Sequence, residues 1–205
     1  MPRVSFAPHL QPTAGNSQAD SYCRFFFYYK DIAGAIYPVL DDCEQFQETL
    51  ELLLQNRAAS GGVYRENIDE AQKPFGVNIA FLGLLFAVLA SGCQSSDLGS
   101  KERELTSQVY GMNVCLDVLV VDIKLTNILV CCSYQCLRMT NFLSQPTIEA
   151  IQTLLVIGNV LSYNMNPGIS YVLLGMTLRM GLALGLHVES SRFSSLERYR
   201  RRHVW

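Results

Sequence analysis

The side chains best suited to chemistry are seven cysteines, three histidines and an arginine run at the C-terminal end. Cys131, Cys132 and Cys136 lie closest together, and the spacing of four puts Cys132 and Cys136 on one face of a helix. A zinc site gathers several thiolate or imidazole ligands, most compactly as a CxxC pair or a helical HExxH, and neither occurs. His9, His187 and His203 are far from the cysteines in sequence, so core thiols are the expected reading. Nucleophilic hydrolysis needs an activated Ser or Cys, a base and an oxyanion-binding turn. There is no G-x-S-x-G elbow, no Gly-rich phosphate loop and no dinucleotide fingerprint, so a catalyst is not expected. The segment RFSSLERYRRRHVW holds five arginines, with Arg200, Arg201 and Arg202 consecutive. It reads either as a nuclear-import or polyanion patch or as the solvated face of a helix capped by Ser194 or Ser195. The second reading is preferred, because late arginines complement the helix dipole.

The whole chain supports a buried core and argues against a nucleic-acid surface. Its 205 residues are 49% hydrophobic and 17% charged, and 16 Lys+Arg nearly balance 18 Asp+Glu for a formal net charge of −2. Phosphate neutralisation requires clustered positive charge rather than an even mixture. The odd number of cysteines, set in apolar stretches, points to reduced thiols in an intracellular protein. Residues 1–20 lack the apolar run of a secretory signal and read as a flexible arm.

Helices are the expected elements from Ser21 onward. Phe46, Leu50, Leu53 and Leu54 recur at spacings of three and four, with acids early and Arg57 late, and Gly61 and Gly62 supply the stop. A polar loop covers 61–76, and VNIAFLGLLFAVLASGC follows as the next helix. The stretch 105–143 favours helix, although LDVLVVDI would also suit a strand. Ser144, Pro146, Thr147 and Glu149 form a helix-start signature. Asn164, Asn166, Pro167 and Gly168 then break the chain into a helical hairpin whose second arm is apolar nearly all round, with Arg179 its only charge. Residues 74–96 and 150–178 carry no charge, which keeps a small helical membrane protein as the alternative. Asn159, Asn164, Asn166 and the Ser/Gln-rich end of the first block favour buried core helices instead.

Four matches in order, the last of them spanning Gly175 to Trp205, resemble the regulatory region of fungal binuclear zinc cluster transcription factors. Gly175 to His187 is similar to that family's G-x-A-x-R-x-A helix ending in G-L-H, here Gly185-Leu186-His187, with Thr177 and Gly181 where alanine is usual. Glu197 and the Arg201-Arg202-His203-Val204-Trp205 stretch match an acid preceding R-R-x-x-W. Tyr37-Pro38-Val39-Leu40-Asp41 resembles the early P-x-x-D turn, Ala80 to Gly92 the L-L-x-A-x-L-A-x-G helix, and Pro146 to Ile157 the P-T-I-E-A-I-Q-x-L-L helix.

The resemblance implies an all-α regulatory domain over 21–205, helical hairpins around one apolar core, acting in the nucleus in transcription regulation and not as an enzyme. It implies zinc and DNA binding in a separate six-cysteine domain absent from this chain, and therefore no cofactor, no metal ligand, no catalytic residue and no DNA-binding residue here. The regulatory region is taken as partial, since the family's continues past the arginine-tryptophan motif. Protein partners or self-association are expected, no membrane, and a small-molecule inducer is left open. Gly175, Arg179, Gly185, Leu186, His187, Arg201, Arg202 and Trp205 are the family-motif structural residues. From their chemistry alone, Gly175, Gly181, Ala183 and Gly185 are expected to permit close helix approach and Arg179 to pair with an acid or carbonyls. His187 is expected to cap a helix end, and Trp205 to anchor the last helix to the core.

Overall fold

The computed structural model describes residues 17–62, 73–96, 125–164 and 166–205. Among these the architecture is all-α, with no strand. Helix α1 (Ser17–Tyr28) runs through a π turn (Tyr29–Ala33) into a last helical turn (Gly34–Ile36). It begins within the stretch 1–20. Then come α2 (Cys43–Ala59), α3 (Ile79–Ser95), α4 (Leu125–Met139), α5 (Ile148–Tyr163), α6 (Pro167–Ala183) and α7 (Ser195–Val204). The LDVLVVDI segment lies outside the described residues.

Local chemistry sets the ends. Asp42 caps α2 by accepting from the Glu44 and Gln45 amides at 3.0 and 2.9 Å, and Gly61 and Gly62, both at positive φ, carry the chain away after it. Asn78 caps α3 through the Ala80 amide. Thr147 caps α5 through the Ala150 amide at 3.1 Å, which places Pro146 just before the cap rather than in the first turn. Pro167 occupies the first turn of α6, where its missing N–H costs nothing. The C-terminal end of α6 is a Schellman turn: Gly185 at φ +66° lets the Leu186 amide reach the Gly181 carbonyl at 3.0 Å, and the Gly185 amide reaches Leu182 at 2.9 Å.

Helix α3 is the centre of the bundle. It packs against α1, α4 and α5, and its Ala87, Val88, Leu89, Ala90 and Cys93 are fully buried. Small residues set the spacing. A Cβ built on Gly92 falls 1.9 Å from the Phe25 carbonyl oxygen, so α1 reaches α3 only because that side chain is missing. At Gly83 the carbonyl accepts from the buried Ser133 hydroxyl of α4 at 2.6 Å. Helix α2 joins through its aromatics: Phe46 stacks on Phe26 with centroids 5.3 Å apart and meets Phe81 at 5.0 Å. Of its expected apolar face, Phe46, Leu50 and Leu53 are buried and Leu54 is partly so.

The helical hairpin is α5 and α6. Its first arm is core, with Ile151, Leu154, Ile157 and Val160 buried. The expectation of a buried second arm is corrected. Only Leu173, Thr177, Met180 and Gly181 of α6 are buried, while Tyr171, Val172, Leu174 and Leu178 face outward. Helix α6 packs on α5 from one side and nothing described covers the other. No described helix is long and apolar enough to cross a membrane.

Candidate functional site: a polar clasp joining three motifs

The densest polar constellation is assembled from three segments distant in sequence. Gln152 of α5 is 1% exposed, the one amide in the run AIQTLLVI, and its Nε2 donates to the Val39 carbonyl at 3.1 Å and to Asp41 Oδ1 at 3.0 Å. Burial of this amide is tolerated because both of its protons are used. The other carboxylate oxygen of Asp41 accepts from Arg200 Nε of α7 at 2.7 Å, and Arg200 Nη2 lies 3.5 Å from Glu149 on the first turn of α5. Burial alone would raise the Asp41 carboxyl. The Gln152 hydrogen bond, its own backbone amide and the Arg200 charge outweigh that and hold it below its ordinary value. For Arg200, burial pulls the other way, and the Asp41 and Glu149 carboxylates overcome it and hold its guanidinium above its usual range.

The neighbouring arginines are also committed within the chain. Arg201 Nη2 donates to the Leu184 carbonyl at 2.6 Å, its guanidinium carbon lies 4.3 Å above the Phe193 ring, and Glu197 stands 3.9 Å away one turn earlier. Arg202 pairs with Glu189. The run is therefore more than a solvated face: Arg200 and Arg201 hold α7 to Asp41, to α5 and to the end of α6, while Arg202 and its partner Glu189 stay largely exposed. This matters because α7 has no fully buried residue to hold it by packing. Ser194 caps that helix through the Glu197 amide at 3.2 Å, so the choice between Ser194 and Ser195 falls to the former.

The structure separates the eight motif residues singled out above. Gly185, Leu186, Arg201, Arg202 and Trp205 come together around the end of α6. Trp205 lies on Gly181, whose added Cβ would sit 3.3 Å from the ring, and its centroid is 6.0 Å from that of His187. Trp205 remains 52% exposed, so it covers the end of α6 rather than entering the core. His187 is exposed, and Arg201, not His187, caps the free carbonyl of Leu184. Gly175 has open space where a side chain would stand, which removes the close-approach role expected of it and leaves that role to Gly181. Arg179 is exposed and makes no ion pair among the described residues, because its face of α6 is the outward one.

Sequence reasoning did not single out Asp41, Glu149, Gln152 and Arg200 as a site. Two signals were present: a lone amide inside an apolar helix, and a P-x-x-D turn quoted as a match without a partner for its acid. No three His, Cys, Asp or Glu side chains among the described residues come together as a metal site. The chemistry of the constellation is that of a clasp: it binds one part of the chain to another.

The family described as "Fungal specific transcription factor domain" matches residues 25–205, and the chain belongs to that family. No curated protein and no solved structure matches it. Membership gives a transcription-regulatory role, in a family that is in general non-enzymatic.

Proposed function

We propose that this chain is a nuclear regulatory module whose output passes through protein contacts, with DNA and zinc bound by a separate domain of the zinc-cluster type. The single observation that carries the reading is the fate of the arginine run. Duplex binding requires cations free to replace counterions along the phosphates, and Arg200 and Arg201 are spent on an acid and on a carbonyl of the same chain. An exposed apolar helix face on the same molecule suits a protein partner better than a polyanion. The family to which the chain belongs supports the transcriptional setting.

The test uses the whole chain fused to an unrelated DNA-binding domain in a fungal cell carrying the matching reporter. The fusion is expected in the nucleus and is expected to change reporter output relative to the DNA-binding domain alone. Arg200→Glu, which opposes Asp41 with like charge, is expected to abolish the change. A fusion that leaves output unaltered, or an unfused chain that binds duplex DNA with a steep salt dependence, overturns the proposal.

A further inference from the structure

The linker from α6 into α7 is open to an enzyme. Every residue from Ser191 to Leu196 is exposed, and the first turn of α7 is capped by one hydroxyl, that of Ser194 under the Glu197 amide at 3.2 Å. No residue of α7 is fully buried, so opening that turn uncovers no core. Of the serines there, Ser190 accepts from the Arg192 amide at 3.3 Å and Ser194 is the cap. The hydroxyls of Ser191 and Ser195 make no hydrogen bond among the described residues. Ser195 differs from Ser191 in having an arginine three positions away on both sides, Arg192 before it and Arg198 after it. Arg198 shares the Ser195 face of α7, and a helical side chain leans toward the helix N-terminus, which directs its guanidinium to the first turn. Its Nε is buried without a hydrogen-bond partner, and it joins none of the ion pairs among the described residues. The nearby acids are engaged elsewhere: Glu197 lies round the helix from Ser195 at 3.9 Å from Arg201, and Glu189 pairs with Arg202.

We propose that Ser195 is a phosphorylation site for a protein kinase that reads an arginine three residues before its target, and that the phosphate, held by Arg198, fastens α7. In the transfer, Ser195 Oγ bonds to the γ-phosphorus of a nucleoside triphosphate as the bond from that phosphorus to the bridging oxygen breaks. The hydroxyl proton passes to the catalytic base of the kinase and the nucleoside diphosphate leaves. The product carries a charge of about −1.5 to −2 at neutral pH. At the first position of α7 it meets the positive pole of the helix, and Arg198 supplies a charge-assisted partner one turn on. The two arginines thus have separate tasks: exposed Arg192 is read by the kinase, and Arg198 reads the phosphate. A firmer first turn keeps Arg200 and Arg201 aligned with Asp41 and the Leu184 carbonyl, so the modification strengthens the clasp. The proposal stands on the geometry of α7 and does not depend on the proposed regulatory role.

The test incubates the whole folded chain with ATP and a calcium/calmodulin-dependent protein kinase, an enzyme directed by arginine three residues before the serine, and locates the phosphate by peptide mass spectrometry. Circular dichroism of every variant shows that the fold is kept. The phosphate is expected on Ser195, and Ser195→Ala is expected to leave 191–198 unmodified. Arg192→Ala is expected to slow the transfer about tenfold, the loss of one charge-assisted contact to the kinase. Phosphorylation is expected to slow hydrogen exchange of the Ser195–Val204 amides about fivefold. Arg198→Ala is expected to accept the phosphate yet lose most of that gain, which a residue with no part in holding the phosphate would not do. A chain left unmodified, or modified at Ser191 or Ser194 instead, overturns the site. A rate indifferent to Arg192→Ala overturns the recognition, and exchange that is unchanged or faster on phosphorylation, or a full gain in Arg198→Ala, overturns the fastening of α7.

Discussion

Loss of the Asp41 carboxylate is the sharpest test of how α7 is held. Asp41→Ala removes the partner of Arg200 Nε at 2.7 Å and one of two acceptors of the buried Gln152 amide. A charge-assisted hydrogen bond contributes about 1.5–3 kcal/mol, and the lower end applies because the Arg200 side chain is 30% exposed and retains Glu149. The Gln152 amide keeps Val39, so its loss adds about 1 kcal/mol, for a total near ~2.5 kcal/mol. At this chain length that lowers the melting midpoint by about 5–10 °C. Urea unfolding of wild type, Asp41→Ala, Arg200→Ala and the double variant should give a coupling energy of about 1.5 kcal/mol between the two positions. Hydrogen exchange should localise the effect: amides of Ser195–Val204 lose protection in either single variant while those of α3 keep theirs. A coupling below about 0.5 kcal/mol, or unchanged α7 protection, would refute the claim that ion pairs dock this helix.

Three further outcomes follow from the same geometry. Because the Asp41 carboxyl is held below its ordinary value, its stabilisation is fully present above the unfolded-state value near ~3.9 and fades as pH falls through the folded value below that. The stability gap between wild type and Asp41→Asn should therefore shrink on acid titration below about pH 4, and a constant gap would contradict the assignment. Gly92→Ala should cost upwards of ~3 kcal/mol or prevent folding, since its methyl would stand 1.9 Å from the Phe25 carbonyl oxygen. Gly83→Ala, meeting the Cys136 Cβ at 3.2 Å, should cost about 1 kcal/mol; equal losses in chemical denaturation would contradict this ordering. Burial pushes the Cys136 thiol up to about 11, so at neutral pH it should resist alkylation in the folded chain and react once unfolded, as read by peptide mass spectrometry.

Helix starts and stops were legible because they are decided within a few residues. The cap at Thr147, the glycine stop at Gly61 and Gly62 and the break at Pro167 each act on backbone groups one turn away. Periodicity also marked Phe46, Leu50 and Leu53 as the buried side of α2. The same signal failed for α6, where apolar residues surround the helix and hydropathy holds no direction; packing against α5 alone decided which side is covered.

The amino-acid order thus determined the all-α class, the helical hairpin and the places where the chain turns. It also displayed the motif segments, because a local rule needs only near neighbours. The union of Asp41 with Arg200, 159 positions apart, the transfer of the α6 cap from His187 to Arg201, and the exposure of Arg179 belong to the tertiary structure. An arginine side chain carries no mark of which acid it will meet. That choice is made when the packing of α3 and α5 brings the turn at Pro38 and the last helix to the same place.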